Sequence, residues 1–221
     1  MASSLLQFSR STFRAGVDLL LLLKEAGEVA LVLSDLEVQG VAYFGRVVAH
    51  AWHEYDTGCP WPMPYEFTYG AHGGPLSEDI ARVSDQFAEL SYIRSGPPAP
   101  RDDVRLLRLT EDGTRILGTM VDESHEPVNA ARFLEQTCRA GATLSVPGLI
   151  SAIQREPSLH NARVQQLRAG VPLGNRQREV VAFIKGLLEE LDESDVFKSR
   201  PETLVLVLLD ALQWQVEETG R

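Results

Sequence analysis

Two short stretches of β-forming residues, YIRS at 92–95 and VRLLRLT at 104–110, flank a proline-rich tip in a chain whose other periodicities are mostly helical. Paired across that tip they make an antiparallel hairpin, so the chain must fold as helices around very little sheet. Before the hairpin, FRAGVDLLLLLKEA repeats apolar side chains at Phe13, Val17, Leu20 and Leu21, with Gly27 as a stop, which reads as a first helix. Ser34 and Asp35 offer an N-cap to LEVQGVAYFGRVVAHAW, whose Val41, Phe44, Val48 and Trp52 share a helical face; Gly40 is expected to split this stretch into two helices. Three prolines between Thr57 and Pro64 forbid any regular element there. Tyr65, Phe67 and Tyr69 alternate with polar residues as a short strand, and GAHGGP turns the chain. A helix capped by Ser77 then carries Ile80, Val83, Phe87 and Leu90, and beyond the hairpin Thr110 caps TEDGTRILGTMV.

The resulting order, three helices, a strand, a helix, a hairpin and a helix, is that of a winged helix with the hairpin as the wing. The expected fold is therefore mainly α: a winged helix-turn-helix domain over residues 1–125 and a helical C-terminal domain over 126–221. In the second segment Val180, Phe183, Ile184, Leu187, Leu188 and Leu191 form an amphipathic helix. The last helix, opened by Pro201, is apolar nearly all round from Leu204 to Leu209. Such a helix is either central in the core or buried against a second chain, and Leu204 to Trp214 is the candidate dimerisation segment.

Charge narrows the function. Twenty-one Lys and Arg stand against 31 Asp and Glu, a formal net charge of -10, which excludes a protein whose whole surface clings to phosphate backbones. The sign is uneven along the chain: residues 128–183 hold seven basic and three acidic side chains, whereas 61–127 hold six and twelve. Cys59 and Cys138 are too few for a disulfide scaffold and point to a reducing interior. Asp18 and Lys24 bracket the Leu19–Leu23 run, and no basic region precedes an apolar one at the start, so neither a membrane span nor a signal peptide is expected and the location is taken as cytoplasmic.

No catalytic constellation emerges. His50, His53, Cys59 and His72 fit no established metal spacing, and Cys59 lacks the strained elbow of a nucleophile. GAHGGP has neither the Lys nor the Ser or Thr of a phosphate loop, and the carboxylates Glu189, Glu190, Asp192 and Glu193 read as a solvated face. No catalytic residue, cofactor or metal is expected, and the chain reads as a binding protein rather than an enzyme. The arginines are the candidates for binding. Arg94, Arg101, Arg105 and Arg108 lie on or beside the hairpin, where a wing can follow a phosphate backbone, although Asp102 and Asp103 dilute their charge. Arg46 and His50 would share one helical face, but Val, Phe and Ala around them make a poor base-reading surface. Arg155, Arg163, Arg168, Arg176 and Arg178 form the denser set, with no acid between Glu156 and Glu179; they suit nucleic acid, an acidic partner or the acidic ends of the chain itself.

The motifs DLLLLLKEAG, YEFTYGAHGGPLSEDIARVSDQFAELSYI and LLRLTEDGTRIL resemble the YwgA-like and Panacea-type winged-helix proteins of prokaryotes. Tyr65, Phe67 and Tyr69 match an aromatic strand of that family, Gly74 to Ser77 its turn, and Leu109 to Gly113 its Leu-Thr-Glu-x-Gly helix start; the likeness covers about residues 13–121. The GAHGGP insertion, the proline-bearing wing and the helical C-terminal third depart from the pattern. The resemblance implies a bacterial, non-enzymatic module associated with toxin–antitoxin, antiphage-defence or regulatory genes, and it brings no catalytic residue with it. The leading expectation is nucleic-acid binding through Arg94, Arg101, Arg105, Arg155, Arg163, Arg168, Arg176 and Arg178 in antiviral defence or transcription regulation. The opposing one is an adaptor or antitoxin-like partner that binds another protein through its acidic surface.

Overall fold

The computed structural model describes residues 9–96, 105–123, 130–173, 177–191 and 194–219. Helix α1 (Arg10–Glu28) starts at Ser9, whose hydroxyl accepts the Thr12 N–H, and it buries Leu19, Leu20, Leu22 and Leu23 together. A helix so apolar must be enclosed, and α2, α3, α4 and α5 all pack against it. Strand β1 (Leu33–Ser34) runs directly into α2 (Asp35–Thr57), where Ser34 and Glu37 cap each other's backbone N–H groups reciprocally.

The expected break at Gly40 does not occur, and α2 is one unbroken helix. The glycines serve close packing instead. A Cβ on Gly40 would stand 3.2 Å from Ile150, and one on Gly45 would stand 2.9 Å from a Leu134 methyl and 3.1 Å from the Leu134 Cα. Gly58, in the left-handed region at φ 69°, ends the helix.

Strand β2 (Thr68–Tyr69) pairs antiparallel with β3 (Pro75–Leu76), so the expected aromatic strand keeps only its last two residues. The alternation nevertheless holds, with Tyr65, Phe67 and Tyr69 all buried. Their backbone finds partners far away in sequence: Leu173 N–H donates to Phe67 O, Tyr69 N–H to Val171 O and Gly170 N–H to Tyr69 O, each at 2.8 Å. Helix α3 (Glu78–Glu89) follows, burying Ile80, Val83 and Phe87, while Leu90 at its end is exposed. Ser77 holds the N-cap position without capping, since its hydroxyl bonds nothing in the helix and its N–H donates to Gln39.

The hairpin forms as expected from β4 (Ile93–Ser95) and β5 (Leu106–Leu109). Beyond it, β1 pairs with the other edge of β5, giving an antiparallel sheet in the order β1-β5-β4. Helix α4 (Glu111–Glu123) is capped by the Thr110 hydroxyl, which accepts the Gly113 N–H at 3.0 Å. Only glycine fits at 113, because a Cβ would lie 2.1 Å from the Tyr92 carbonyl oxygen, the atom that also accepts from Thr110. Gly113→Ala is expected to cost about 2 kcal/mol as the hairpin shifts off α4. Gly118→Ala in the same helix, where a Cβ meets nothing within 4 Å, should instead gain up to about 1 kcal/mol. Urea unfolding of the two variants checks the contrast.

The C-terminal segment supplies α5 (Ala130–Leu144), α6 (Val146–Ile153), α7 (Pro157–Val164), α8 (Gln177–Leu191), α9 (Ser194–Ser199) and, after a 3-10 turn at Pro201–Thr203, α10 (Leu204–Thr219). α5 packs on both α1 and α2, α8 lies on α2 and α7, and α10 lies on α5 and α6. One cluster of buried side chains runs from Ala15 to Leu212 and draws on both segments. The described part of the candidate dimerisation segment belongs to that cluster: Leu204, Val205, Leu208, Leu209 and Leu212 are buried within the chain, and Leu206 is 45% exposed. The Trp214 side chain lies outside the described residues. No helix among the described residues is long and apolar enough to cross a membrane.

Candidate interaction surface and buried polar clusters

The hairpin register sets Arg94 directly opposite Arg108, and both side chains are exposed. Like charges facing each other across a strand pair repel, and neither arginine has an ion-pair partner among the described residues. Beside them is a hollow of about 850 Å³ with Ser91, Ser95, Thr110, Glu111 and Asp112 on its walls. Arg105 is used differently. Its guanidinium donates to Asp85 at 2.8 Å and lies 3.5 Å from Asp35, and the Asp85 hydrogen bond leads the causes that raise its pKa further. It braces β5 against α2 and α3.

Arg155 is half-buried in the turn between α6 and α7, whereas Arg163 at the end of α7 and Arg168 in the loop beyond it are exposed. Arg178 lies in the first turn of α8. Its side chain, and residues Arg101 and Arg176 altogether, lie outside the described residues. The arginines therefore occupy two separate elements, the hairpin and the region around α7.

The helix just before the hairpin shows the opposite charge. On α3, Glu78, Asp85 and Glu89 are exposed with Arg82 as the one cation of that face, and Asp79 accepts from the Thr12 hydroxyl at 2.8 Å. Glu111 and Asp112 continue the acidic surface at the start of α4.

Arg46 is not on a surface at all. It is 1% exposed and grips Asp18, itself 0% exposed, through Nε and a terminal nitrogen at 2.5 Å each. The Tyr65 hydroxyl donates to the same carboxylate at 2.6 Å, and the guanidinium lies 5.8 Å from the Trp61 ring centroid. Burial beside Asp18 holds the Tyr65 phenol well above its ordinary pKa. His50, one turn further along, is held below the usual histidine range by burial, and its Nδ1 finds no partner. His53 lies against Trp61, Cys59 is exposed, and His72 sits in the β2–β3 turn. Among the described residues, no three of His, Cys, Asp and Glu come together as a metal site. GAHGGP closes on itself as a turn, with Gly70 N–H donating to Gly74 O.

A second buried polar cluster sits at the start of α7. Glu156 is 1% exposed, caps the helix by accepting from the Ser158 and Leu159 N–H groups at 2.9 and 2.6 Å, and takes the Tyr43 hydroxyl at 2.9 Å. Burial pushes its pKa up to about 7 against four hydrogen bonds that favour the anion, from the Ser158 and Leu159 N–H groups and the Tyr43 and Ser158 hydroxyls. Both clusters escaped the sequence reading, although Asp18 within GVDLLLLL and Arg46 within YFGRVVA, single charges in apolar runs, were the available signal. No family model matches the chain, and no curated protein is significantly similar to it.

Proposed function

We propose that the chain is a non-enzymatic adaptor built on a winged helix, whose acidic surface engages another protein. The observation that carries this reading is the exposed face of α3, which presents Glu78, Asp85 and Glu89 where a groove-reading helix would need cations and amides. A helix in the major groove lies between two rows of phosphates, and the carboxylates of Glu78 and Glu89 there oppose binding, that of Asp85 being paired with Arg105. The winged-helix assignment is supported by the order α1-β1-α2-β2-β3-α3-β4-β5, with β2 and β3 as an inserted pair and the other strands arranged β1-β5-β4. The resemblance of residues 13–121 to the prokaryotic winged-helix families supplies the setting, a bacterial cytoplasmic defence or regulatory system.

The test is duplex-DNA binding by anisotropy from about 50 mM salt upward, with capture of partners by the immobilised chain. The wild type is expected to leave the duplex free. Glu78→Lys/Glu89→Lys is expected to lose the captured partner and to acquire salt-dependent DNA affinity. Tight, salt-sensitive duplex binding by the wild type would overturn the adaptor reading. A nucleic-acid reading keeps one specific support, Arg163 and Arg168, which are exposed and have no ion-pair partner among the described residues. Under it, Arg163→Glu/Arg168→Glu abolishes binding to single-stranded or duplex probes without altering the unfolding midpoint.

A further inference from the structure

We propose that the open edge of β4 binds an extended acidic peptide from a partner protein by strand addition, with Arg94 receiving the carboxylate. The proposal does not rest on the acidic face of α3 and stands without it.

The backbone geometry comes first. In the order β1-β5-β4, β4 is an edge. Gly96 N–H donates to Leu106 O at 2.7 Å and Thr110 N–H to Tyr92 O at 3.1 Å, while Tyr92 N–H donates back to Phe87 O at 2.8 Å, so Arg94 in the same alternation directs its backbone groups at β5. Ile93 and Ser95 therefore direct theirs outward, where no described residue bonds them. Unpaired strand edges are templates for another strand. The 850 Å³ hollow touches Ile93, Arg94 and Ser95 of β4, reaches Arg108 and Leu109 of β5, and is bounded by Ala88 and Ser91 on one side and by Thr110, Glu111 and Asp112 on the other, and an added strand needs only about 4.8 Å of lateral room.

The side chains then select the occupant. Neighbours across a strand pair point to the same face, so the residue added opposite Arg94 lies next to a guanidinium already repelled by Arg108. A carboxylate there relieves that repulsion. On the other face Ile93 is buried, so the positions flanking the acid must be apolar or small. The motif is an alternation of acidic and β-branched residues. Glu111 at the far wall disfavours an acid at the α4 end, which confines the carboxylate to the strand itself.

The net charge of -10 makes the test sharp, because the protein as a whole repels an acidic peptide and attracts a basic one. The probes are fluorescein-labelled Thr-Glu-Val-Glu-Val-Glu-Thr, its counterpart with every Glu replaced by Lys, and the Glu peptide with alternate amides N-methylated. The Glu peptide is expected to bind the full chain saturably and at least about tenfold more tightly than either of the others. Arg94→Glu should remove that preference. Ser95→Pro, which takes away an outward N–H and leaves every β4–β5 bond intact, should weaken binding by about tenfold with an unchanged circular dichroism spectrum. Equal or tighter binding of the Lys peptide overturns the proposal, as does full affinity of the N-methylated peptide, which would reduce the interaction to charge alone. Displacement of the Glu peptide by duplex DNA, with Ser95→Pro without effect, also overturns it and makes the hairpin a phosphate contact.

Discussion

Arg46→Met is expected to destabilise the chain by about 3–5 kcal/mol, although the substitution preserves much of the side-chain volume and inserts nothing polar. The cost arises at the residue left behind. Asp18 is fully buried between α1 and α2, and with the guanidinium gone its carboxylate keeps only the Tyr65 hydroxyl as a donor among the bonds described above. An uncompensated buried charge is far more costly than the net contribution of the ion pair that satisfied it. Replacing the whole cluster, Asp18→Leu/Arg46→Met/Tyr65→Phe, should therefore recover most of the loss. Urea unfolding of the single and triple variants gives both numbers. A loss below about 1 kcal/mol for Arg46→Met would mean that the carboxylate is hydrated in the fold, and the closed ion pair would be wrong.

That cluster also marks the boundary of what the sequence makes legible. The hairpin, the Thr110 cap and the Ser34 cap depend on residues a few positions apart, and each was readable because turn chemistry and capping are local. The continuity of α2 was not readable. Gly40 is a helix breaker by propensity alone, and what keeps it helical is the close passage of Ile150, more than a hundred residues away in sequence. The same holds for the aromatic segment 65–69, whose hydrogen-bonding partners at 170–173 are too remote for any pattern to announce. β1 is two residues long and gains its identity only by pairing with β5.

For the candidate surfaces, the split is between charge and geometry. The uneven distribution of arginine and acid along the chain was plain in the sequence, but which arginines are spoken for was not. Arg46 is consumed by Asp18 and Arg105 by Asp35 and Asp85, whereas Arg94 and Arg108 are brought together by a register that no count of charges contains. The acidic face of α3 likewise becomes a surface only once Ile80, Val83 and Phe87 have turned inward. Tertiary packing thus decides the sign of the face that α3 exposes.

The pH dependence of stability should single out Glu156. Its carboxyl has an ordinary value of 4.5 and rises to about 7 in the fold because burial disfavours the anion. Between those values the folded chain holds a proton that the unfolded chain has released, so stability must fall as pH rises. The contribution is complete below about pH 4.5 and lost as pH rises through about 7. From about pH 5 to pH 8 the loss amounts to about 2.5 kcal/mol. His50 and His72 act in the opposite direction, since burial lowers both and their neutral folded forms lose stability as pH falls through 6.5. Glu156→Gln separates the two effects, because it mimics the protonated carboxyl and leaves both histidines in place. The drop in unfolding free energy between those two pH values should be larger in the wild type than in Glu156→Gln by about 2.5 kcal/mol. Parallel pH profiles for the two proteins would place the Glu156 carboxyl at its ordinary value, and the hydrogen bonds from Ser158, Leu159 and Tyr43 would then offset burial in fixing its charge.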